Sequence, residues 1–256
     1  MSNEERLRHS NSHSKFEIRN SKFSVPVVKN PLIVAIDGPS GVGKSTTSKL
    51  VAQALRIPHI DTGAMYRAIA VAAKRSNIAV TDEVALERLA SATLIEFGAG
   101  TPPRVFLDGE DVTGLIRTPE ISMMASTVSA VPKVRRVLVQ LQQKMGRTGG
   151  GVLEGRDIGT VVFPETPHKF FLTARPEIRA KRRYDELRAK GAEVDYDDTL
   201  AETVKRDRQD STRADSPLKA DDSYTIIDTS DLSIEEVVKQ IVDEVRDNAG
   251  DTTWRK

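Results

Sequence analysis

Short apolar runs rich in β-branched residues alternate along the chain with longer segments in which apolar positions recur at helical spacing. The runs are residues 32–36, 57–60, 151–154, 169–172 and 224–227, and each precedes a polar or glycine-containing turn and then a helical pattern. Runs of this kind predict strands, and strands that alternate with helices predict a parallel sheet. We therefore expect an α/β fold with a central parallel five-stranded sheet flanked by helices.

Residues 84–130 interrupt the alternation. A helical segment is followed by two strand-like runs, residues 93–97 and 104–107, with an Asp108-Gly109 turn, and a further helix is predicted to begin at Thr118-Pro119-Glu120. Asp-Gly turns are typical of hairpins, and proline is favoured in the first turn of a helix. An antiparallel pair between two parallel strands predicts an inserted α+β subdomain, which is either a surface elaboration or a clamp over a second substrate.

Glycines cluster between the first strand and the helix that follows it. Residues 38–45 fit the phosphate-loop pattern G-x-x-x-x-G-K-[ST] and lie between the apolar run 32–36 and the helical run 46–55. In such a loop, backbone N–H groups and a lysine bind the phosphates and the hydroxyl ligates Mg²⁺. We predict that ATP binds Gly38, Pro39, Ser40, Gly41, Val42, Gly43, Lys44, Ser45 and Thr46, with Ser45 as the Mg²⁺ ligand.

Composition narrows the setting. The 256 residues are 38% hydrophobic, enough for one globular core over residues 31–256, whereas residues 1–30 are polar and predict a flexible extension. Lys and Arg total 38 against 37 Asp and Glu, which argues against nucleic acid as a partner. There is no cysteine and no long apolar segment or signal core, so we expect a soluble cytoplasmic protein without a membrane partner.

Arginines stand at several strand ends and helix starts. They are Arg67, Arg135, Arg156, Arg182, Arg183 and Arg213, with Asp157 and Asp210 beside them. A lone arginine is usually a solvated surface charge, but a triphosphate beside a second phosphate needs several fixed guanidinium groups and a metal ion. The pattern favours phosphoryl transfer between two anions.

Six runs together resemble the bacterial cytidylate kinases, in the same order as in that family. They are residues 36–45, 61–67 (D-T-G-A-M-Y-R), 107–112, 116–120, 154–164 (including G-R-D-I-G-T-V-V-F-P) and 206–211. The resemblance covers residues 32–247. It implies a P-loop kinase core with residues 84–130 as the monophosphate-binding insert and residues 176–215 as a helical lid, acting as a monomer on ATP and CMP or dCMP.

The resemblance also implies roles for single residues. The residues implied to bind CMP are Thr62, Arg67, Ser126, Arg135, Arg156, Asp157, Asp210 and Arg213. Lys44, Arg156, Arg182 and Arg183 are implied to be catalytic, the last two as lid arginines over the transferring phosphoryl group. Arg208 stands where some relatives carry an acidic residue, and Thr62 where some carry serine.

The residues alone leave other readings open. A kinase of the shikimate or gluconate type would share the loop and the sheet, but its hydroxyl acceptor calls for a base and fewer phosphate-binding arginines. A regulatory P-loop switch or motor needs switch elements that the sequence does not reveal. Asp37, just before the loop, is expected either to orient metal-bound water or to fix the loop.

Overall fold

The computed structural model describes residues 31–98, 100 and 103–248. The predicted extension, residues 1–30, lies outside this part of the chain. In chain order the elements are β1 (Ile33–Asp37), α1 (Lys44–Leu55), β2 (His59–Asp61), α2 (Thr62–Arg75), α3 (Glu83–Ala92), β3 (Ile95–Gly98), β4 (Arg104–Leu107), β5 (Glu110–Asp111), α4 (Pro119–Ser129), α5 (Pro132–Gly149), β6 (Gly151–Gly155), β7 (His168–Thr173), α6 (Pro176–Ala189), α7 (Tyr196–Thr212), β8 (Thr225–Asp228) and α8 (Ile234–Asn248). None of the described helices is long and apolar enough to cross a membrane.

The five predicted strands form one sheet, in the order β2-β6-β1-β7-β8, and all neighbours run parallel. In the register, Asp37 pairs with both Gly155 and Phe171, and Asp61 pairs with Glu154. The carboxyl ends of β1, β2 and β6 therefore lie side by side, which is where ligands bind in sheets of this type. The predicted fold class is confirmed.

The segment between α2 and α5 carries a second, antiparallel sheet in the order β3-β4-β5. The predicted pairing of residues 93–97 with 104–107 is confirmed, because Ile95 pairs with Leu107. The Asp108-Gly109 turn, however, joins β4 to a third strand that the sequence analysis missed. Asp108 and Gly109 have φ of 51° and 86°, the left-handed backbone that a two-residue hairpin turn requires.

The helix predicted at Thr118 begins there, with Thr118 as N-cap and Pro119 in the first turn. The Thr118 side chain accepts a hydrogen bond from the backbone N–H of Ile121 at 3.3 Å. Capping of this kind stabilises a helix by about 1 kcal/mol.

Two apolar clusters hold most of the core. One lies between β1, β7, β8, α1 and α8, and includes Phe170 and Ile241. The larger one joins α2 and α5 to the antiparallel subdomain and includes Ile69, Leu86 and Leu138, all fully buried. Each such side chain contributes roughly 1.5–3 kcal/mol by leaving water, so the insert is packed firmly against α2.

Candidate active site

The phosphate loop joins β1 to α1, as predicted. Gly38 has φ of 147°, and a Cβ built there would lie 2.2 Å from the carbonyl oxygen of Leu172 on β7, so only glycine fits. Gly43 precedes α1 in the left-handed region (φ 94°), and no side chain caps this helix. The N-terminal N–H groups of α1 and the positive end of its dipole are therefore available to an anion.

Lys44 lies along the loop, where its Nζ donates a hydrogen bond to the carbonyl of Pro39 at 2.6 Å. Its side chain is buried. Burial, and next the positive charge of Arg156, lower the pKa of Lys44 well below its ordinary value. A negative phosphate beside this ammonium would offset both effects, which is the electrostatic environment expected of a phosphate-binding lysine.

Ser45 begins a hydrogen-bond chain that the sequence analysis missed. Its Oγ donates to Oε2 of Glu154 at 2.8 Å, and Oε1 of Glu154 lies 3.1 Å from Nε2 of His59. Glu154 is the penultimate residue of β6, two positions before Arg156, so its place at the carboxyl end of a predicted strand was the available signal.

The Ser45 and Glu154 oxygens fit a Mg²⁺ ion, which prefers oxygen ligands. The described residues hold no group of three or more His, Cys, Asp or Glu side chains suited to a metal ion. A Mg²⁺ ion here would therefore take few protein ligands and rely on phosphate and water oxygens, as is usual in sites that bind nucleotides.

Asp37 is completely buried at the end of β1. Its carboxylate accepts hydrogen bonds from the backbone N–H groups of Ile158 and Gly159, each at 2.9 Å, and from the Tyr224 hydroxyl at 2.8 Å. Burial raises the pKa of Asp37 to about 6. Of the two roles weighed for Asp37, these contacts favour the structural one, because all three donors belong to the protein.

The Asp37 contacts hold a turn of π-helix, Ile158–Val162, directly after Asp157. Single π-helical turns are rare and often occur at functional sites. Here the turn directly follows Arg156 and Asp157, two of the predicted site residues.

The start of α2 holds two further predicted residues. The Thr62 hydroxyl donates to the carbonyl of Glu154 at 2.7 Å. Arg67, one turn further on, donates to the carboxylate of Asp61 at 2.7 Å, and Asp61 also caps α2 through the N–H of Ala64. Both predicted residues therefore lie at the carboxyl edge of the sheet.

Five more of the predicted residues form ion pairs. Arg135 on α5 donates to the carboxylate of Asp157, and both side chains are buried. Arg156 donates to Asp210 on α7 at 2.8 Å, and Arg213 lies 3.8 Å from the same carboxylate. Residues from α5, from the end of β6 and from α7 thus meet in one cluster, which we call the arginine cluster.

Guanidinium groups in this region carry buried N–H groups without a partner. Among the described residues they are Nε of Arg67, Arg135 and Arg206 and Nη2 of Arg213. Buried donors are normally satisfied, and an orphaned donor costs about 1–3 kcal/mol. Their concentration in one place indicates a site for an anionic or acceptor-rich ligand.

Arg206 is a member of the cluster that the sequence analysis did not assign a role. Burial, and next the charge of Arg156, lower the pKa of its guanidinium. Positions 206, 210 and 213 follow the i, i+4, i+7 spacing of one helix face, which was the available signal. Tyr66 was also missed; its ring lies 5.6 Å from the Arg135 guanidinium.

The predicted lid arginines have other partners. Arg182 donates to the carbonyl of Thr229 at 2.6 Å, and Arg183 donates to Glu186 at 3.0 Å on its own helix. Arg179, which was not predicted, ties α6 to α7 through Asp207 and to the phosphate loop through the carbonyl of Ser40. Ser126 on α4 makes no described side-chain hydrogen bond with the arginine cluster.

A parallel sheet with a phosphate loop after its central strand, and arginine-rich helices over the carboxyl edge, defines the class of P-loop kinases. The family model for cytidylate kinase matches residues 34–247. A protein named cytidylate kinase from Syntrophotalea carbinolica is 53% identical over 213 residues, which cover 82% of this chain and 90% of that protein. One of the same name from Geobacter sulfurreducens is 52% identical over 217 residues, covering 84% and 93%. The chain belongs to the cytidylate kinase family.

Proposed function

We propose that the protein transfers the γ-phosphoryl group of ATP to CMP or dCMP, giving ADP and CDP or dCDP. The observation that carries this proposal is the arginine cluster, with its orphaned buried N–H groups, beside Lys44 of the phosphate loop. Two anionic substrates need two adjoining positive sites, and the charges of Arg156 and Asp210 both act on Lys44. Membership of the cytidylate kinase family supports the choice of CMP.

Residues 38–46 bind the donor. The backbone N–H groups of the loop and the start of α1 hold the phosphates, and Lys44 stabilises the negative charge on the transferring group. Lys44 must leave the Pro39 carbonyl to reach a phosphate, which is a rotation of one flexible side chain.

A Mg²⁺ ion bound with ATP would neutralise part of the charge on the phosphates. Ser45 would hold the ion through its hydroxyl. Glu154 accepts a hydrogen bond from that hydroxyl, which leaves the oxygen lone pairs of Ser45 free for a cation.

The arginine cluster binds the acceptor. Arg67 and Arg206 take its phosphate, because each has a buried Nε without a partner. Asp157 and Arg135 read the edge of the base: a carboxylate accepts from the cytosine amine, whereas uracil presents an acceptor oxygen there. Arg156, Asp210 and Arg213 position the sugar and the phosphate, and Thr62 and Ser126 add hydroxyl groups on either side.

No strong general base is needed for this transfer. The acceptor is a phosphate monoester, whose second pKa is about 6, so it is already ionised near neutral pH. The protein aligns the two anions and stabilises their charge. An acceptor hydroxyl, as in sugar kinases, would require such a base and would make less use of the arginine cluster.

Residues 84–130 form the acceptor-binding insert, and residues 176–215 form the lid. Closure of the lid would exclude water, which otherwise hydrolyses ATP. Arg182 and Arg183 would then exchange their present partners, Thr229 and Glu186, for the transferring phosphoryl group.

One assay tests the function directly. The purified protein is incubated with Mg²⁺ and ATP and with each of CMP, dCMP, UMP, AMP and GMP, and nucleoside diphosphates are separated by anion exchange. We expect CDP and dCDP to form fastest. The Lys44→Ala variant is the negative control, and its formation of diphosphates should not exceed the background of the assay. A faster reaction with AMP or GMP, or none with any monophosphate, would refute the proposal.

A further inference from the structure

The carboxylate of Glu154 is held at both oxygens. Oε2 accepts from the Ser45 hydroxyl at 2.8 Å, and Oε1 lies 3.1 Å from Nε2 of His59. The side chain of Glu154 is only 4% exposed and that of His59 13%. A carboxylate without a proton only accepts hydrogen bonds, so Nε2 of His59 is the donor at this contact.

The strand register explains why these side chains meet. His59 of β2 pairs with Val152 of β6, two positions before Glu154. Since side chains alternate along a strand, residues 152 and 154 lie on one face, and His59 shares that face. Ser45 reaches the same carboxylate from the first turn of α1.

The remaining nitrogen of His59 has no competing role. Nδ1 is buried and has no hydrogen-bond partner, so the contact with Glu154 is the one described polar contact of the ring. Among the described hydrogen bonds, His59 is also the only donor to Oε1 of Glu154. Without it, the carboxylate is free to rotate away from Ser45.

We propose that His59 is a positioning residue for the metal-nucleotide complex. His59 fixes Oε1 of Glu154 and so keeps Oε2 in place to accept the hydrogen bond from the Ser45 hydroxyl. The lone pairs of the Ser45 oxygen then point towards the position of a divalent cation. His59 itself touches neither the cation nor a substrate. This inference rests on the proposed function, because the cation is the one that accompanies ATP.

The test measures metal binding separately from turnover. Mn²⁺ is titrated into the full-length protein saturated with a non-hydrolysable ATP analogue, and free Mn²⁺ is followed by electron paramagnetic resonance. Loss of a hydrogen-bond partner of a metal-site residue typically weakens metal binding tenfold or more, so we expect His59→Leu to weaken Mn²⁺ binding about tenfold. His59→Gln places an amide N–H near the position of Nε2, and we expect it to recover most of the affinity.

Two further variants keep the test decisive. His59→Asn is polar but too short to reach Glu154, so it should resemble His59→Leu and replaces it if the leucine variant does not fold. Glu154→Gln should weaken Mn²⁺ binding at least as much as His59→Leu. In turnover assays, His59→Leu should raise the Mg²⁺ concentration needed for half-maximal rate but leave the KM for CMP unchanged.

A structural role alone would lower the melting temperature of His59→Leu without changing its Mn²⁺ affinity, and that result overturns the inference. An unchanged affinity in Glu154→Gln overturns it as well. If no monophosphate is phosphorylated, the proposed function fails, but the Mn²⁺ titration with the ATP analogue still decides the role of His59.

Discussion

Replacing Asp37 with asparagine should change how the stability of the protein depends on pH. The Asp37 carboxyl has a pKa of about 6 in the folded protein, against an ordinary value of 3.8, and burial is the main cause. Between these values the folded state holds a proton that the unfolded chain has released. Asp37 therefore favours folding most at low pH, and this contribution declines as the pH rises towards about 6.

The magnitude follows from the two pKa values. Each pH unit between them is equivalent to 1.36 kcal/mol, so the whole decline amounts to about 3 kcal/mol. Linkage places about 2 kcal/mol of it between pH 4.5 and pH 7.5. Asparagine cannot ionise and cannot satisfy all three donors to Asp37, so Asp37→Asn also carries a loss of about 1–3 kcal/mol that is independent of pH.

The assay is urea unfolding of the parent and of Asp37→Asn at several pH values between about 4.5 and 7.5. The free energy of unfolding of the parent minus that of the variant should fall by about 2 kcal/mol as the pH rises. Asp228→Asn is a matched control: Asp228 is exposed, and hydrogen bonds from Ser230 lower its pKa. The stabilising effect of Asp228 is lost only as the pH falls below the ordinary pKa of 3.8, so the parent-minus-Asp228→Asn difference should stay nearly constant over the assayed range. A parent-minus-Asp37→Asn difference that is flat across the range would refute the reasoning.

The remaining predictions concern turnover. Lys44→Ala should fold normally but lose roughly a hundredfold or more in kcat, because a transition-state charge contact of about 3 kcal/mol is removed; a rate within threefold of the parent contradicts this role. Arg206→Gln should lower kcat/KM for CMP roughly tenfold or more, because a charge-assisted hydrogen bond is lost. Arg208→Gln, an exposed change on the same helix, should leave kcat/KM for CMP unchanged. If both variants lower kcat/KM equally, Arg206 does not belong to the site. The kcat/KM for CMP should exceed that for UMP by at least about tenfold, or some 1.4 kcal/mol. Asp157→Ala and Ser126→Ala should each narrow this ratio, mainly by lowering kcat/KM for CMP. Steady-state kinetics that show an unchanged ratio in Asp157→Ala would count against the role of Asp157.

The sheet was predictable because its central strands β1, β6 and β7 are largely buried. Continuous apolar runs such as residues 32–36 have few other interpretations when a glycine turn and a helix follow. The third strand of the insert was missed because Glu110 and Asp111 are exposed and polar, so β5 leaves no apolar pattern. Only the Asp108-Gly109 turn indicated it.

The sequence indicated many residues of the candidate site, but it indicated neither Glu154 and Arg206 nor which side chains pair. The phosphate loop is a local pattern, and the roles of Arg67 and Asp210 came from a family resemblance. The contact between Arg156 and Asp210 depends on how α7 crosses the end of β6, which no local pattern encodes. The same holds for His59 and Glu154, which lie on separate strands and meet only through the strand register.

The strand order also limits the order in which the parts of the protein can fold. Ile33 of β1 pairs with Gly151 of β6, and Ala35 pairs with Lys169 of β7, so both neighbours of β1 are made long after it during synthesis. The antiparallel strands of the insert pair with near neighbours in the chain, and contacts between near neighbours form faster than distant ones. During synthesis on the ribosome, the insert can therefore fold before β6 and β7, the partner strands of β1, have been made.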